Sequence, residues 1–209
     1  MMKYYAFGAV VAVVAVIVGM VFVTMDRNGG DKYAECRVGQ VAGGSDAIGG
    51  PFTLVDETGE TVTSEELIDE PSLIYFGYTF CPDVCPLDTS RNAEAVEILE
   101  DRGMSVKPVF ISVDPDRDTP EILQDFTDRL HPRMVGLTGS MEQVRAASQA
   151  YRTYFKKQEP EPGDEDYYLV DHSTFSYLVF PEEGFIEFFR RDLTPAELAD
   201  QVGCFLDNR

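Results

Sequence analysis

Histidine and positive charge are scarce in this 209-residue sequence, which holds two histidines and 17 Lys and Arg against 37 Asp and Glu, for a formal net charge of −20. A field of that sign repels phosphate backbones, which excludes nucleic acid as a partner, and it gives the chain no electrostatic grip on an anionic lipid surface. Long polar tracts are missing as well, so disorder throughout is excluded. Long apolar runs are absent with one exception, the 22 residues from Tyr4 to Met25, where no Asp, Glu, Lys, Arg or His occurs. Every acidic residue, and every basic one but Lys3, follows that run. A helix of this length spans a hydrocarbon core of about 30 Å. No small-residue cleavage site follows, because Asp26 and Arg27 come directly after Met25, so the expectation is an uncleaved membrane anchor and not a signal peptide.

The rest divides by composition. Residues 1–3 are expected as a cytoplasmic tail, 4–25 as one transmembrane helix, and 26–50, with seven glycines, as a flexible stalk. The folded domain is expected over 51–209. Phe52–Val55 and Thr61–Thr63 flank a turn and predict a hairpin, after which Ser64 is placed to cap a short helix. Leu73–Tyr78 and Val106–Val113 read as buried strands, and a helix is expected between them from Pro86 to Asp101. Thr119 with Pro120 opens a helix whose inward stripe is Ile122, Phe126 and Leu130. Val135–Leu137 predicts a short strand, and Ser140 with Gln143 a capping box for a helix with Val144, Ala147, Tyr151 and Phe155 inward. An acidic solvated loop over 156–167 precedes strands at Tyr168–Val170, Ser176–Phe180 and Phe185–Arg190. Thr194, Pro195 and Glu197 open the last helix, with Leu198, Val202 and Phe205 inward. Strand, helix, strand, helix, hairpin and helix is a thioredoxin-like α/β order, extended by an N-terminal β-hairpin and an inserted helix and strand.

Cys81-Pro-Asp-Val-Cys85-Pro86 falls where the first long strand gives way to its helix, at the carboxyl edge where α/β sheets place their sites. Thiols four apart at a helix start face the same way, and the helix N-terminus favours thiolate. The pair reads as a redox dithiol or as two ligands for a soft metal. His172 at the end of a later strand offers a third ligand, and two sulfurs with one imidazole suit Cu(I), or Cu(II) with a further oxygen ligand, ahead of zinc. The other histidine, His131, is expected on the surface at a helix C-terminus.

Three segments, Phe80-Cys-Pro-Asp-Val-Cys-Pro86, Ser112-Val-Asp-Pro-Asp-Arg-Asp-Thr-Pro120 and Val170-Asp-His-Ser173, carry a resemblance to the Sco/SenC family of copper chaperones, in the same order, over about Phe52 to Phe205. The resemblance implies a membrane-anchored thioredoxin-fold protein that binds one copper ion through Cys81, Cys85 and His172. It implies assistance to assembly of the dinuclear copper site of cytochrome c oxidase subunit II, by copper delivery, by thiol reduction, or by both. A periplasmic copper donor and a thiol reductant are the further partners to expect. With no mitochondrial presequence before the apolar run, the expected location is a bacterial inner membrane, with the domain in the periplasm. Asp114, Asp116 and Arg117 are expected to shape the copper loop or the partner surface. Asp171 is a candidate to bond the free ring nitrogen of His172, whereas Asp118 is accounted for as a helix entry.

Cys36 and Cys204 lie outside the dithiol motif. In an exported chain a lone thiol is a liability, and a Cys36–Cys204 disulfide pinning the stalk to the last helix is the expectation. The competing activities are thiol:disulfide exchange with Cys81 as nucleophile and Cys85 as resolver, peroxiredoxin-like peroxide reduction, and redox or copper sensing. Dithiol exchange needs no histidine, and a three-ligand copper site does.

Overall fold

Leu73 to Phe76 contains no charged side chain, and its branched and aromatic residues fill both faces of a strand, the composition of one covered on both sides. In the computed structural model, which describes residues 14–20, 31–37, 47–160, 162–163 and 167–209, this segment is the centre of the sheet. The strands are β1 (Thr53–Asp56), β2 (Thr61–Thr63), β3 (Ser72–Gly77), β4 (Lys107–Ser112), β5 (Val135–Thr138), β6 (Phe155–Lys157), β7 (Val170–His172), β8 (Ser176–Phe180) and β9 (Gly184–Phe189). The helices are α1 (Ser64–Leu67), α2 (Val84–Asp101), α3 (Pro120–Thr127), α4 (Met141–Ala150) and α5 (Pro195–Asp207).

Seven strands form one sheet in the order β2-β1-β5-β4-β3-β8-β9, with β3, β4 and β5 parallel and the outer pairs antiparallel. The four strands β4-β3-β8-β9 with α2 and α5 make the thioredoxin-like core, and β5 with the β1–β2 hairpin widens it on one side. Leu99, Leu73, Leu178, Val202 and Phe205 form the core under α2 and α5, whereas Phe76, Phe110, Leu123, Val144 and Tyr151 form the core under α3 and α4. The short antiparallel pair β6–β7 stands apart from the main sheet.

Several elements depart from the sequence expectation for local reasons. Thr63, not Ser64, caps α1, because its hydroxyl accepts from the Glu66 amide while the Glu66 carboxylate reaches back to the Thr63 amide. Helix α2 starts at Val84, two residues before Pro86; a proline is tolerated in the first turn, where amides have no intrahelical partner. The inward residues of α3 are Leu123 and Thr127, while Phe126 and Leu130 pack only partly. A threonine is accepted there because its hydroxyl donates to Leu123 O and to the Glu57 carboxylate. Phe155 does not continue α4. Arg152, with φ 53°, turns the chain out of the helix, and Phe155 opens β6. His131 is buried rather than on the surface, its Nδ1 accepting from the Arg133 amide at 3.1 Å. The Ser140–Gln143 and Thr194–Glu197 capping boxes form as expected.

Most of the expected span over 4–25 lies outside the described residues. Residues 14–20 are helical, and among the described residues no helix is long and apolar enough to cross a membrane. Within the stretch read as stalk, residues 31–37 pack on the domain, with Tyr33 buried against Phe180 and Phe205 and Cys36 bonded to Cys204 across a Cα–Cα distance of 5.7 Å. The 156–167 loop is described only in part, and its first two residues belong to β6.

Candidate metal centre

Gly77 ends β3, and the turn Tyr78–Cys81 then leads into α2, with the Cys81 amide donating to Tyr78 O. Cys81 therefore lies just before the helix and not on it. Its sulfur occupies the place of a capping group, 3.4 Å from the Cys85 amide. Burial alone would raise the Cys81 thiol, but the amides of Cys85, Asp83 and Val84 outweigh it, and the pKa falls below the ordinary thiol value. Cys85, one turn further on, is fully buried, and that burial pushes its thiol upward. The two cysteines are adjacent, unbonded and unlike in acidity.

His172 reaches them from β7, with its Nε2 3.1 Å from Cys85 Sγ and its Nδ1 2.9 Å from Ser173 O. Burial lowers the imidazole pKa, so the ring is held in its neutral, ligating form. Tyr75 and Tyr78 stand edge-on to the ring at centroid distances of 6.2 and 5.8 Å. One ligand atom from each of Cys81, Cys85 and His172 can be chosen so that all lie within 4.8 Å of one another. Gly77 makes this approach possible, because a Cβ there would lie 3.1 Å from Cys85 Sγ and 2.8 Å from the Tyr75 ring. The group opens onto a shallow cavity of about 290 Å³ whose wall includes Pro82, Val84, Leu169 and Thr174. Two soft sulfurs and a neutral nitrogen, converging and mostly shielded from water, form a complete three-atom donor set for one soft metal ion.

The carboxylates singled out beside the motif separate in space. Asp171 is exposed, accepts from Gln158 Nε2 at 2.7 Å, and does not meet the ring of His172, whose Nδ1 is directed to a backbone carbonyl instead. Adjacent residues on a strand point to opposite faces, which accounts for it. Asp114 is buried and accepts from Tyr168 Oη at 2.7 Å and from Arg117 Nε at 2.5 Å. The Arg117 guanidinium lies 3.6 Å from the centre of the Tyr168 ring, and Asp116 pairs with Lys157 at 3.3 Å on the surface. Asp118, read from the sequence as a helix entry alone, is fully buried and accepts from Thr79 N, Thr79 Oγ1 and Ser112 Oγ at 3.1, 2.6 and 2.5 Å. No local signal announces that role, since Thr119 and Pro120 already explain an acidic residue at that place.

Comparison with known proteins gives one consistent result. The family model described as SCO1/SenC matches residues 40–207. Protein SenC of Rhodobacter capsulatus is 53% identical over 205 residues, covering 98% of this chain and 91% of that protein. Among solved structures, Arabidopsis thaliana ScoI with copper bound is 41% identical with a TM-score of 0.73, covering 78% of this chain and 100% of that one. Bradyrhizobium japonicum ScoI with copper bound is 38% identical with a TM-score of 0.67, over 75% of this chain and 98% of that one.

Proposed function

This chain belongs to the SCO1/SenC family, and on that premise we propose that it is a membrane-anchored copper chaperone that binds one copper ion through Cys81, Cys85 and His172. The observation that carries the reading is the convergence of those three ligand atoms at the end of β3. Copper is cargo here. Cys81, with its lowered pKa, supplies thiolate first, and the neutral ring of His172 is ready to ligate without losing a proton from Nε2. Cys85 is the deeper ligand, and its thiol proton leaves on binding, which makes affinity rise with pH. Both oxidation states are served: two thiolates and an imidazole hold Cu(I), and solvent entering from the cavity completes Cu(II).

The recipient is the dinuclear copper site of cytochrome c oxidase subunit II, with the domain in the bacterial periplasm and residues 4–25 as its single membrane span. The net charge of −20 supports docking to a basic face of the partner. A second activity, reduction of the partner's cysteines, is favoured by the unlike acidity of Cys81 and Cys85, a nucleophile beside a shielded resolver. The test is Cu(I) titration of the reduced full chain against a competing chelator. One ion should bind, and His172→Ala should weaken it by about 10–100-fold while sparing dithiol oxidation. Unchanged affinity in that variant overturns the ligand set.

A further inference from the structure

The three ligands come from two elements that share no strand pairing. Cys81 and Cys85 follow β3, whereas His172 sits on β7, which among the described residues pairs with β6 and leads through residues 173–175 to β8, the antiparallel neighbour of β3. Tyr78 of the Cys81 turn ties the two directly, accepting from the Val170 amide at 3.3 Å and setting its ring against His172, and a further element that touches both sides would fix their separation. The loop from Ser112 to Asp118 does so. At one end the buried Asp118 carboxylate takes the amide and the hydroxyl of Thr79, the second residue of the turn that presents Cys81. At the other, Asp114 takes the hydroxyl of Tyr168, and Arg117 covers that ring at 3.6 Å; Tyr168 is two residues before β7 and four before His172. The loop is itself stiff, because Ser112 Oγ accepts from the Asp114 amide while donating to Asp118, and the Asp118 amide donates to Asp114 O at 2.9 Å.

We propose that Ser112–Asp118 is a two-armed brace, with Asp118 positioning the Cys81 turn and Asp114, through Arg117 and Tyr168, positioning the arm that carries His172. It rests on the copper reading above and adds to it the residues that set the distance between dithiol and imidazole. The two arms act on different ligands, so their losses combine differently with loss of the histidine.

The test is a pair of double-mutant cycles on the full chain, read as Cu(I) affinity. Asp118→Ala should weaken binding by about tenfold in wild type and by the same factor in a His172→Ala background, because it acts through the cysteines. Tyr168→Leu should weaken binding by about tenfold in wild type but by less than about twofold in the His172→Ala background, because it acts only through the histidine. Asp118→Asn keeps an acceptor for the Thr79 amide and should restore most of the affinity. Thr79→Val, which removes one donor to Asp118, replaces Asp118→Ala if that variant does not fold. Equal losses for Tyr168→Leu in both backgrounds, or no loss in a folded Asp118→Ala or Thr79→Val chain, overturn the brace alone. A wild-type affinity that ignores His172→Ala overturns the copper reading and the brace together.

Discussion

At the carboxyl end of β3 two thiols face each other unbonded, whereas at its amino end, beside Phe180 and α5, a covalent bridge joins Cys36 to Cys204. The first end is held by hydrogen bonds and ring contacts among Cys81, Cys85, His172, Tyr75 and Tyr78, with no covalent link. The second is closed by a disulfide, by Tyr33 wedged between Phe180 and Phe205, and by Arg37 donating to Ile186 O at 2.6 Å. The free thiols and the covalent bridge thus sit toward opposite ends of the same strand. Stability and copper affinity should accordingly be separable, and each variant below either sharpens that division or breaks it.

The largest expected effect is on the bridge. Its sequence separation of 168 residues gives a nominal stabilisation of about 5 kcal/mol through the unfolded state, with measured values commonly about 2–4 kcal/mol. The double variant Cys36→Ser/Cys204→Ser should lose about 3 kcal/mol in denaturant unfolding and keep its Cu(I) affinity. A large change in affinity would mean that the two ends communicate.

Gly77→Ala probes the opposite end and comes next. The added methyl would meet the Tyr75 ring, the Phe110 ring and Cys85 Sγ at 2.8, 3.0 and 3.1 Å, so the sulfur or the rings must shift. Overpacking of this kind costs about 1–3 kcal/mol, and here it should also lower Cu(I) affinity, which the bridge variant does not. Stability loss without an affinity loss would show that the rings, and not Cys85, give way.

The ends also differ in how much the sequence discloses. The spacing of Cys81 and Cys85 and their place after an apolar strand pointed to the metal end, and the two remaining cysteines to the other. Tyr33 and Asp118 were hidden for a common reason: each acts on residues far along the chain, Tyr33 on Phe180 and Asp118 on Thr79. Local pattern carries no trace of such pairing. The β6–β7 pair was obscured differently, because Phe155 keeps the helical spacing of α4 and only the left-handed backbone of Arg152 ends it. Asp171 misled because proximity in sequence to His172 puts it on the other face of the strand.

Tyr33→Phe tests the amino end more finely. The phenol donates to both carboxylate oxygens of Glu183 at 3.0 Å, while the ring contacts with Phe180 and Phe205 survive the substitution. A loss of about 1 kcal/mol in stability with unaltered copper binding is expected. No loss would assign the whole contribution of Tyr33 to its ring.

The smallest effect should appear in acid, where the two ends carry opposite signs. A hydrogen bond from Arg37 holds the Asp31 carboxyl below its ordinary 3.8, so its contribution is full above that value and is lost as pH falls through the folded pKa. Burial holds the Asp118 carboxyl above 3.8, against the hydrogen bonds from Ser112 and Thr79. Its ionisation is therefore harder in the folded chain, and stability is greatest below the unfolded value and declines as pH rises through the folded one. Unfolding free energies from about pH 3 to about pH 7 check this, with wild type compared to Asp31→Asn and to Asp118→Asn. The advantage of wild type over the first variant should grow with pH, and its advantage over the second should shrink. Asp31 is half exposed, so added salt should flatten the first trend well before the second. Trends of the same sign would mean that the Asp118 hydrogen bonds outweigh its burial, and that the carboxylate under the Cys81 turn is held charged as firmly as the one beside the bridge.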